Sequence, residues 1–464
     1  MWHGTRRGFL RVSAAGLAAA GIGLARRELA GQIPGERPPK VEGVRVVNPQ
    51  TRVPVSLIID DSTCLVNLAH FGMPQFAETW PDRKDYQKPW QKMPREIPDA
   101  FVRKFAEWCH EHGVKGKYTV IPYPACVGWL DRFLPGWSRR DLADSLELVR
   151  THLLPDWDIH PEMVTHTRVI DTKTGRPYES SSPRFMENWQ WTSGRSVDEL
   201  ADYMSYALRV LKNVGLPCEG ITTPGGFGSG VPAELAQATL QACRDVFQTD
   251  VAHYFRDLFT DRRSVAPRVY YASHLDGPDP QCAVSIIGCT GDWFGGWDGM
   301  TPGNADLMVT KDLQGGRMVE VIGRNEPAIL VCHWPGIYYG GEELGFRIFQ
   351  EVVKRLHARF DNLLWMKQSE IARYWAAKEL TRIENRDGLV AIRAPFAAAR
   401  FTLSIAARGD AMPQLTVGDK PQQLKQVAKP LDLRPGTWTR EGQEVLVCFD
   451  LPKGKSELSL GQGP

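Results

Sequence analysis

The chain has 464 residues, of which 42% are apolar and 24% are charged, a composition that excludes a disordered or fibrous protein. Its formal net charge is +2 and it contains no basic run, so nucleic acid is not an expected partner. Nine scattered cysteines without a Cys-x-x-Cys pair exclude a disulfide framework and a thiolate zinc site. Outside the N-terminal region no stretch reaches 18 apolar residues, so we expect no membrane span.

Residues 1–30 are predicted to be an export signal. Residues 5–11, Thr-Arg-Arg-Gly-Phe-Leu-Arg, are typical of twin-arginine signals, and the apolar run at 12–25 is too short to span a bilayer. Cleavage is expected after Ala25 or after Ala30, next to small residues. The sequence therefore predicts a periplasmic or extracellular protein. Because this route carries folded proteins, it suits a protein that acquires a metal in the cytoplasm.

A short apolar strand that ends in two carboxylates is the most informative segment. Val55 to Ile59 is mostly β-branched, as in parallel strands that are covered on both faces, and Asp60 and Asp61 follow directly. A buried strand cannot hold two unpaired anions in its interior, so they should lie at its carboxyl end, over a cleft. In parallel α/β barrels that end carries the active site. The alternative is an ordinary turn in which Asp61 caps a helix.

A helix and a second strand follow this first strand. The helix is predicted over 99–112, because Phe101, Val102, Phe105 and Trp108 recur at helical spacing. Gly113 ends it, and residues 117–121 then form a strand that Pro122 stops. This order predicts a βαβ unit with a parallel sheet.

The segment from Phe105 to Ile121, FAEWCHEHGVKGKYTVI, resembles the second helix–strand unit of the polysaccharide deacetylase (NodB-homology) family. In that family an Asp-Asp pair also ends the first strand. The resemblance covers roughly residues 52–376 and implies a distorted (β/α)7 barrel. It also implies a metal-dependent hydrolase that removes acyl groups from N- or O-acetylated sugars. Asp60 would be the general base and Asp61 a metal ligand.

The second motif of the family, His-(Ser/Thr)-x-x-His, supplies two further metal ligands. Here His160 and His166 stand six residues apart, with Glu162 between them. The resemblance implies that His160 and His166 bind a divalent metal with Asp61, and zinc is the metal that we expect. Glu162 is an alternative ligand, since it lies four residues before His166 and would share a helix face with it. In a third interpretation, His160 is structural and Glu162 and His166 are an ordinary helix pair.

The third and fourth motifs carry the candidate substrate-binding residues. At the third, the family has Arg-x-Pro, whose Arg holds the catalytic Asp, and this chain has Thr222 in place of that Arg. A strand over 283–287 then leads into a glycine-rich loop with Asp292, Trp293 and Trp297. Trp rings and carboxylates suit sugar recognition, so these three residues and Thr222 are predicted to contact substrate. The alternative is a tight turn anchored by buried Trp.

The fifth motif resembles the Leu-x-His of the family, in which the His is the general acid. A buried strand over 328–332 ends at His333. Imidazole changes its charge near neutral pH and can protonate a leaving amine or alkoxide, which suits this role. A helix over 344–360, a last strand over 362–366 and a final helix from Ser369 complete the predicted barrel domain, residues 31–378.

Residues 379–464 are predicted to form a small all-β domain that resembles a sandwich. Alternating or apolar runs near 388–393, 401–405 and 445–449 are separated by Gly, Pro and Asp. This domain is expected to be an accessory for packing or for carbohydrate binding. Residues 31–52, rich in Pro and charge, are predicted to be a linker.

The sequence thus favours an exported, metal-dependent hydrolase that acts on carbohydrate or a related acylated small molecule. The metal would polarise the acyl oxygen and activate water. One alternative is a metal-free glycoside hydrolase in which Asp60 or Asp61 pairs with Asp292 or Asp298 across a sugar. The other alternative is a sugar-binding protein without catalytic activity.

Overall fold

The computed structural model describes residues 37–386, 388–407 and 411–461, so the predicted export signal lies outside the described residues. Helices and strands alternate along the first part of the chain. The helices are α1 Leu68–Thr79, α2 Asp99–Glu111, α3 Arg139–Leu148, α4 Val197–Asn213, α5 Pro232–Phe247, α6 Arg317–Gly323, α7 Trp334–Tyr338, α8 Leu344–Arg359 and α9 Gln368–Leu380. In the part of the chain described, none of them is both long and apolar enough to cross a membrane.

The strands of this first part are short, and several of them end at the candidate site residues. They are β1 Val44–Val46, β2 Val53–Asp60, β3 Gly116–Thr119, β4 Trp157–His160, β5 Ile170–Asp171, β6 Arg176–Pro177, β7 Gly220–Thr222, β8 Val251–Leu258, β9 Arg268–Ser273, β10 Gln281–Gly288, β11 Ala328–His333 and β12 Leu363–Trp365. The predicted strand before the Asp-Asp pair, the helix after it and the strand before His333 are all present within a few residues of their expected bounds.

Strand β2 is the centre of the first sheet, as its fully buried sequence predicts. The sheet has the order β11-β2-β3-β4, with β12 also paired to β2, and all of these pairs are parallel. In the register of β2 and β11, Asp60 lies opposite His333. The carboxyl ends of the strands therefore meet at one edge, which brings the predicted base and acid together.

The second sheet has the order β7-β8-β10-β9, in which β9 is antiparallel to β10 and the other pairs are parallel. It meets the first sheet at two places. Thr222 N donates to Pro161 O at 3.0 Å, and Cys289 N donates to Ile329 O at 2.8 Å. The fold is therefore mixed α/β with two sheets in contact, and this strand pairing does not by itself establish the predicted distorted (β/α)7 barrel. Strands β8 and β9 and helix α5 were missed by the sequence analysis.

Alternate side chains of β2 pack on opposite sides of the sheet, as the period of a strand requires. Leu57 and Ile59 join the cluster formed with the surrounding helices, which includes Phe105 of α2. Ile58 belongs to a second cluster with Phe255 of β8, on the face turned toward the other sheet. Asp60 lies on that same inner face, so the site is built at the end of an apolar core.

The C-terminal part consists mostly of strands. They are β13 Arg382–Arg386, β14 Leu389–Ala394, β15 Ala398–Ala406, β16 Met412–Val417, β17 Lys420–Gln422, β18 Lys425–Gln426, β19 Thr437–Glu441, β20 Glu444–Leu451 and β21 Gly454–Gly461. They form two sheets, β1-β15-β20-β19-β18 and β13-β14-β21-β16-β17. Strand β1 comes from the predicted linker, and its Val46 lies opposite Leu403. The N-terminal segment is thus part of this sheet instead of a linker.

Candidate active site

Three ligand atoms converge just beyond the carboxyl ends of β2 and β4. They belong to Asp61, Glu162 and His166, and all lie within 4.8 Å of one another. His166 Nε2 is 2.8 Å from Asp61 Oδ1 and 3.3 Å from Glu162 Oε1. The three residues are buried, at 2%, 2% and 8% exposure. The second oxygen of Glu162, Oε2, accepts a hydrogen bond from Asp61 N at 2.8 Å, which ties the two ligand-bearing segments together.

The donor set fits a divalent cation. Asp61 Oδ1 is buried and lacks a hydrogen-bond partner of acceptable geometry, although His166 Nε2 is 2.8 Å away. Asp61 and His166 have φ angles of 58° and 66°, in the left-handed region that non-glycine residues rarely adopt. Such strain persists where the surrounding structure enforces it and is common at functional sites. Carboxylate oxygen and imidazole nitrogen are both ligands that zinc and related metals accept.

The two carboxylates also change the pKa of His166. Burial alone would lower the pKa of this imidazole, but Asp61 and Glu162 outweigh burial and raise the pKa well above its ordinary value. Two buried carboxylates beside one imidazole thus form an excess of negative charge, which a cation would compensate.

His160 departs from its predicted role as a ligand. It is the last residue of β4 and is fully buried, and its Nε2 is 2.8 Å from Nε2 of His253 on β8. Together with Asp158 it forms a separate group. Glu162 takes the place beside Asp61 and His166. The four-residue spacing of Glu162 and His166 was visible in the sequence, but a loop brings them together and not the helical turn that was considered.

Asp60, the predicted base, is bonded to a buried lysine. Lys117 Nζ of β3 donates to Asp60 Oδ1 and to Ile59 O, the latter at 3.2 Å. Burial raises the pKa of the Asp60 carboxyl above its ordinary value; Lys117 opposes this shift and Glu162 adds to it. A carboxylate with a raised pKa is a stronger proton acceptor, so the environment suits a general base. The sequence analysis missed Lys117, although a lysine within a predicted buried strand is unusual enough to have signalled a paired charge.

His333, the predicted acid, is oriented by Asp292. Its Nδ1 lies 2.9 Å from Asp292 Oδ2, and the Asp292 Oδ1 atom accepts a hydrogen bond from Phe294 N at 3.2 Å. Burial would lower the pKa of His333, but the charge of Asp61 and the bond to Asp292 raise it to about 10. Both carboxylates therefore favour the protonated imidazole. Its side chain is 27% exposed, so the imidazole is accessible from solvent.

Glu187 holds the loop that carries His166. Its carboxylate accepts hydrogen bonds from the backbone of Val164 at 3.2 Å, Thr165 at 3.0 Å and His166 at 2.6 Å, and from the Tyr203 hydroxyl. Burial raises the pKa of Glu187 to about 7, against these hydrogen bonds, which lower it. No sequence motif indicated this role, because Glu187 is 21 residues from His166 in the chain.

The predicted substrate-binding residues have different surroundings. Thr222 is fully buried, with its hydroxyl 3.4 Å from His160 Nδ1, so it cannot contact a substrate as predicted. Trp293 packs against the main apolar cluster. Trp297 is partly exposed and lies 5.9 Å from the Phe76 ring, which itself lies 6.3 Å from His166. An aromatic wall beside the site therefore includes Trp297.

Solved structures of similar architecture were found at low sequence identity. A probable polysaccharide deacetylase from Pseudomonas aeruginosa PAO1 is 11% identical, with a TM-score of 0.36, over 70% of this chain and 91% of its own. The Puue allantoinase is 11% identical, with a TM-score of 0.39, over 75% and 93%. A putative glycoside hydrolase/deacetylase from Parabacteroides distasonis is 12% identical, with a TM-score of 0.38, over 78% and 82%.

No protein-family model and no curated protein sequence matches the chain. The three solved structures have TM-scores below 0.5, so we base the function on the geometry of the site itself.

Proposed function

We propose that the chain is a metal-dependent hydrolase that removes acyl groups from carbohydrate or a related acylated small molecule. A divalent cation, zinc by expectation, would be held by Asp61, Glu162 and His166. The observation that carries this proposal is the convergence of these three donors at the edge of the sheet where Asp60 and His333 lie opposite each other. A base, an acid and a cation site in one cleft are the parts that hydrolysis of an amide or ester requires.

The roles of the side chains follow from their charge states. When bound, the cation would polarise the acyl oxygen of the substrate and make water more acidic. Asp60 is placed to accept the proton that water loses as its oxygen bonds to the acyl carbon. His333, whose Nδ1 is held by Asp292 at 2.9 Å, would donate a proton to the leaving nitrogen or oxygen as the acyl bond breaks.

The aromatic wall supports a sugar or a similar ring as substrate. Tyr86 and Phe76 lie 5.8 and 5.9 Å from the Trp297 ring, and this group borders His166. Aromatic faces pack against the apolar C–H faces of sugar rings and leave the hydroxyl groups to polar partners.

The metal-free glycoside hydrolase is less well supported. It requires a second carboxylate that is free to act across the sugar from Asp60 or Asp61. Asp292 is engaged by His333 at 2.9 Å, and Asp298 is 3% exposed and paired with Lys88. Both candidate partners thus already have cationic neighbours.

The fold and the export of the protein complete the proposal. Strands β2, β3, β4, β7, β8, β10 and β11 would form a distorted seven-stranded (β/α) barrel, supported by the two backbone contacts between the sheets.

The protein would be exported by the twin-arginine route, which Arg6 and Arg7 support. Replacing both with Lys should leave the protein in the cytoplasmic fraction, and unchanged export would contradict this part.

Acetate release from acetylated amino sugars and sugar esters tests the proposed function. We expect the purified protein to release acetate, to lose this activity on chelation and to regain it with added zinc or a related divalent cation. The Asp60→Asn variant should keep its metal and lose roughly 10²–10⁴-fold in kcat. Activity that survives complete metal removal would contradict the proposal and favour the metal-free alternative.

A further inference from the structure

Lys117 is a fully buried lysine in the interior of the fold. It lies on β3 opposite Ile58 of β2, with its exposure at 0%. Its side chain extends along the strands to Asp60, and its Nζ is 5.7 Å from the centre of the Phe255 ring. Removing an ammonium group from water costs several kcal/mol unless a partner compensates it. The burial of the Lys117 ammonium group therefore depends on its ion pair with Asp60.

The partner needs such a cation for its own orientation. Asp60, Asp61 and Glu162 place three carboxylates in one buried region, and Glu162 acts on Asp60 as a like charge. Lys117 donates to Oδ1 of Asp60, whereas among the described residues none donates to Oδ2. One oxygen is thus anchored from inside the fold, and the other is left to face the cleft.

Within the part of the chain that the structure describes, no other cationic side chain donates a hydrogen bond to Asp60. Thr222, which occupies the place where the family resemblance implies an arginine, is directed to His160, with 3.4 Å between its hydroxyl and Nδ1. His333 also lies near Asp60, but its Nδ1 is engaged by Asp292.

We propose that Lys117 is the positioning residue of this site: it anchors Oδ1 of Asp60 so that Oδ2 faces the reacting water. The inference rests on the proposed function, because it assigns Lys117 a role only through Asp60. It explains how Asp60 is oriented in a chain that has Thr222 in place of the arginine. A residue that acts only through another has a clear signature, since its removal has no effect once the other is gone.

A double-mutant cycle tests the inference. Lys117→Met should keep the fold and the metal content, and should lower kcat roughly 10–100-fold with KM nearly unchanged, since a misplaced base slows the chemical step. Lys117→Arg, which retains the charge, should recover part of this loss. In the Asp60→Asn background Lys117→Met should have no further effect on kcat. Lys115→Met, just before β3, is the matched control and should leave kcat unchanged.

The outcomes separate the inference from the proposed function. Full activity of Asp60→Asn would contradict the proposed function itself. If Asp60→Asn is inactive but Lys117→Met is fully active, the inference alone is overturned. The same holds if Lys117→Met lowers kcat by the same factor in the natural protein and in Asp60→Asn. If Lys117→Met does not fold, Lys117→Gln replaces it in the same cycle. Its amide is polar, but it is uncharged and one atom shorter than lysine, so it should still lower kcat, and this loss should again vanish in the Asp60→Asn background.

Discussion

His333 shows how a single residue gains a chemical role from its surroundings. It ends a buried strand, opposite Asp60 in the register, and a carboxylate from another loop holds its Nδ1. The sequence predicted the strand and the terminal His, because both follow from local pattern. It also named Asp292, but as a residue that contacts substrate. The bond from Asp292 to His333 spans 41 residues and depends on tertiary structure alone.

We expect His333→Ala to lower kcat roughly 10²–10⁴-fold while folding and metal content stay intact, because positioned proton transfer has about this effect. The loss should shrink for substrates whose leaving group needs no protonation. Asp292→Asn is the companion variant and should show a smaller loss, because it keeps the imidazole but removes the charge that orients it. Melting temperature and turnover are measured on the same preparations. A destabilised His333→Ala with normal turnover per folded molecule would indicate a structural histidine.

At the scale of elements, the loop after β4 decides the ligand set. Position 160 belongs to the strand and faces the interior, so His160 pairs with His253 and lies outside the group formed by Asp61, Glu162 and His166. Positions 162 and 166 belong to the loop, where left-handed φ angles at Met163 and His166 turn the chain back. The sequence indicated two candidate ligand sets, one with His160 and one with Glu162. Which of them comes together depends on strand pairing across the fold and on the conformation of the loop. Neither is encoded in residue spacing.

Glu187 is expected to stabilise this loop and, through it, the metal. We predict that Glu187→Gln lowers the free energy of unfolding by roughly 1–3 kcal/mol, because an amide cannot accept all the N–H groups that the carboxylate accepts. Metal affinity should fall with it, since His166 lies in the loop that Glu187 holds. Urea unfolding and competition with a metal chelator measure both effects, with the exposed Glu179→Gln as control. If the free energy of unfolding and the metal affinity are both unchanged, the loop does not depend on Glu187.

At the scale of the whole molecule, part of the order of strands and helices was predictable, and their assembly was not. Periodicity and glycine breaks located β2, α2, β11 and α8 within a few residues. The antiparallel strand β9 and the return of β1 into the C-terminal sheet depend on long-range pairing, and neither has a local signal. The burial and pairing of polar residues inside the fold, such as Lys117 and His253, also depend on long-range contacts.

The buried histidine on β8 predicts sensitivity to acid. Burial lowers the pKa of His253 to about 3 in the folded protein, from 6.5 in the unfolded chain. Between these values the unfolded chain binds more protons, so the free energy of unfolding should fall as the pH decreases from 6.5 toward 3. For this residue we expect a loss of roughly 2–3 kcal/mol between pH 6.5 and 4.5.

Urea unfolding at several pH values measures this dependence. His253→Gln should reduce it between pH 6.5 and 4.5 but not abolish it, because burial also lowers the pKa of the neighbouring His160. His112→Gln, at an exposed position, should leave it unchanged. An equal pH dependence in all three proteins would show that His253 is not the group responsible.

The central claim, a metal held by Asp61, Glu162 and His166, is tested most directly by metal stoichiometry. Elemental analysis after dialysis is compared for the natural protein, Glu162→Ala and His160→Ala, each corrected for its folded fraction. We predict about one divalent cation per chain in the natural protein and in His160→Ala, and strong depletion in Glu162→Ala, because an open site needs its three protein ligands. Depletion in His160→Ala with full metal in Glu162→Ala, or no metal in the natural protein, would contradict the account.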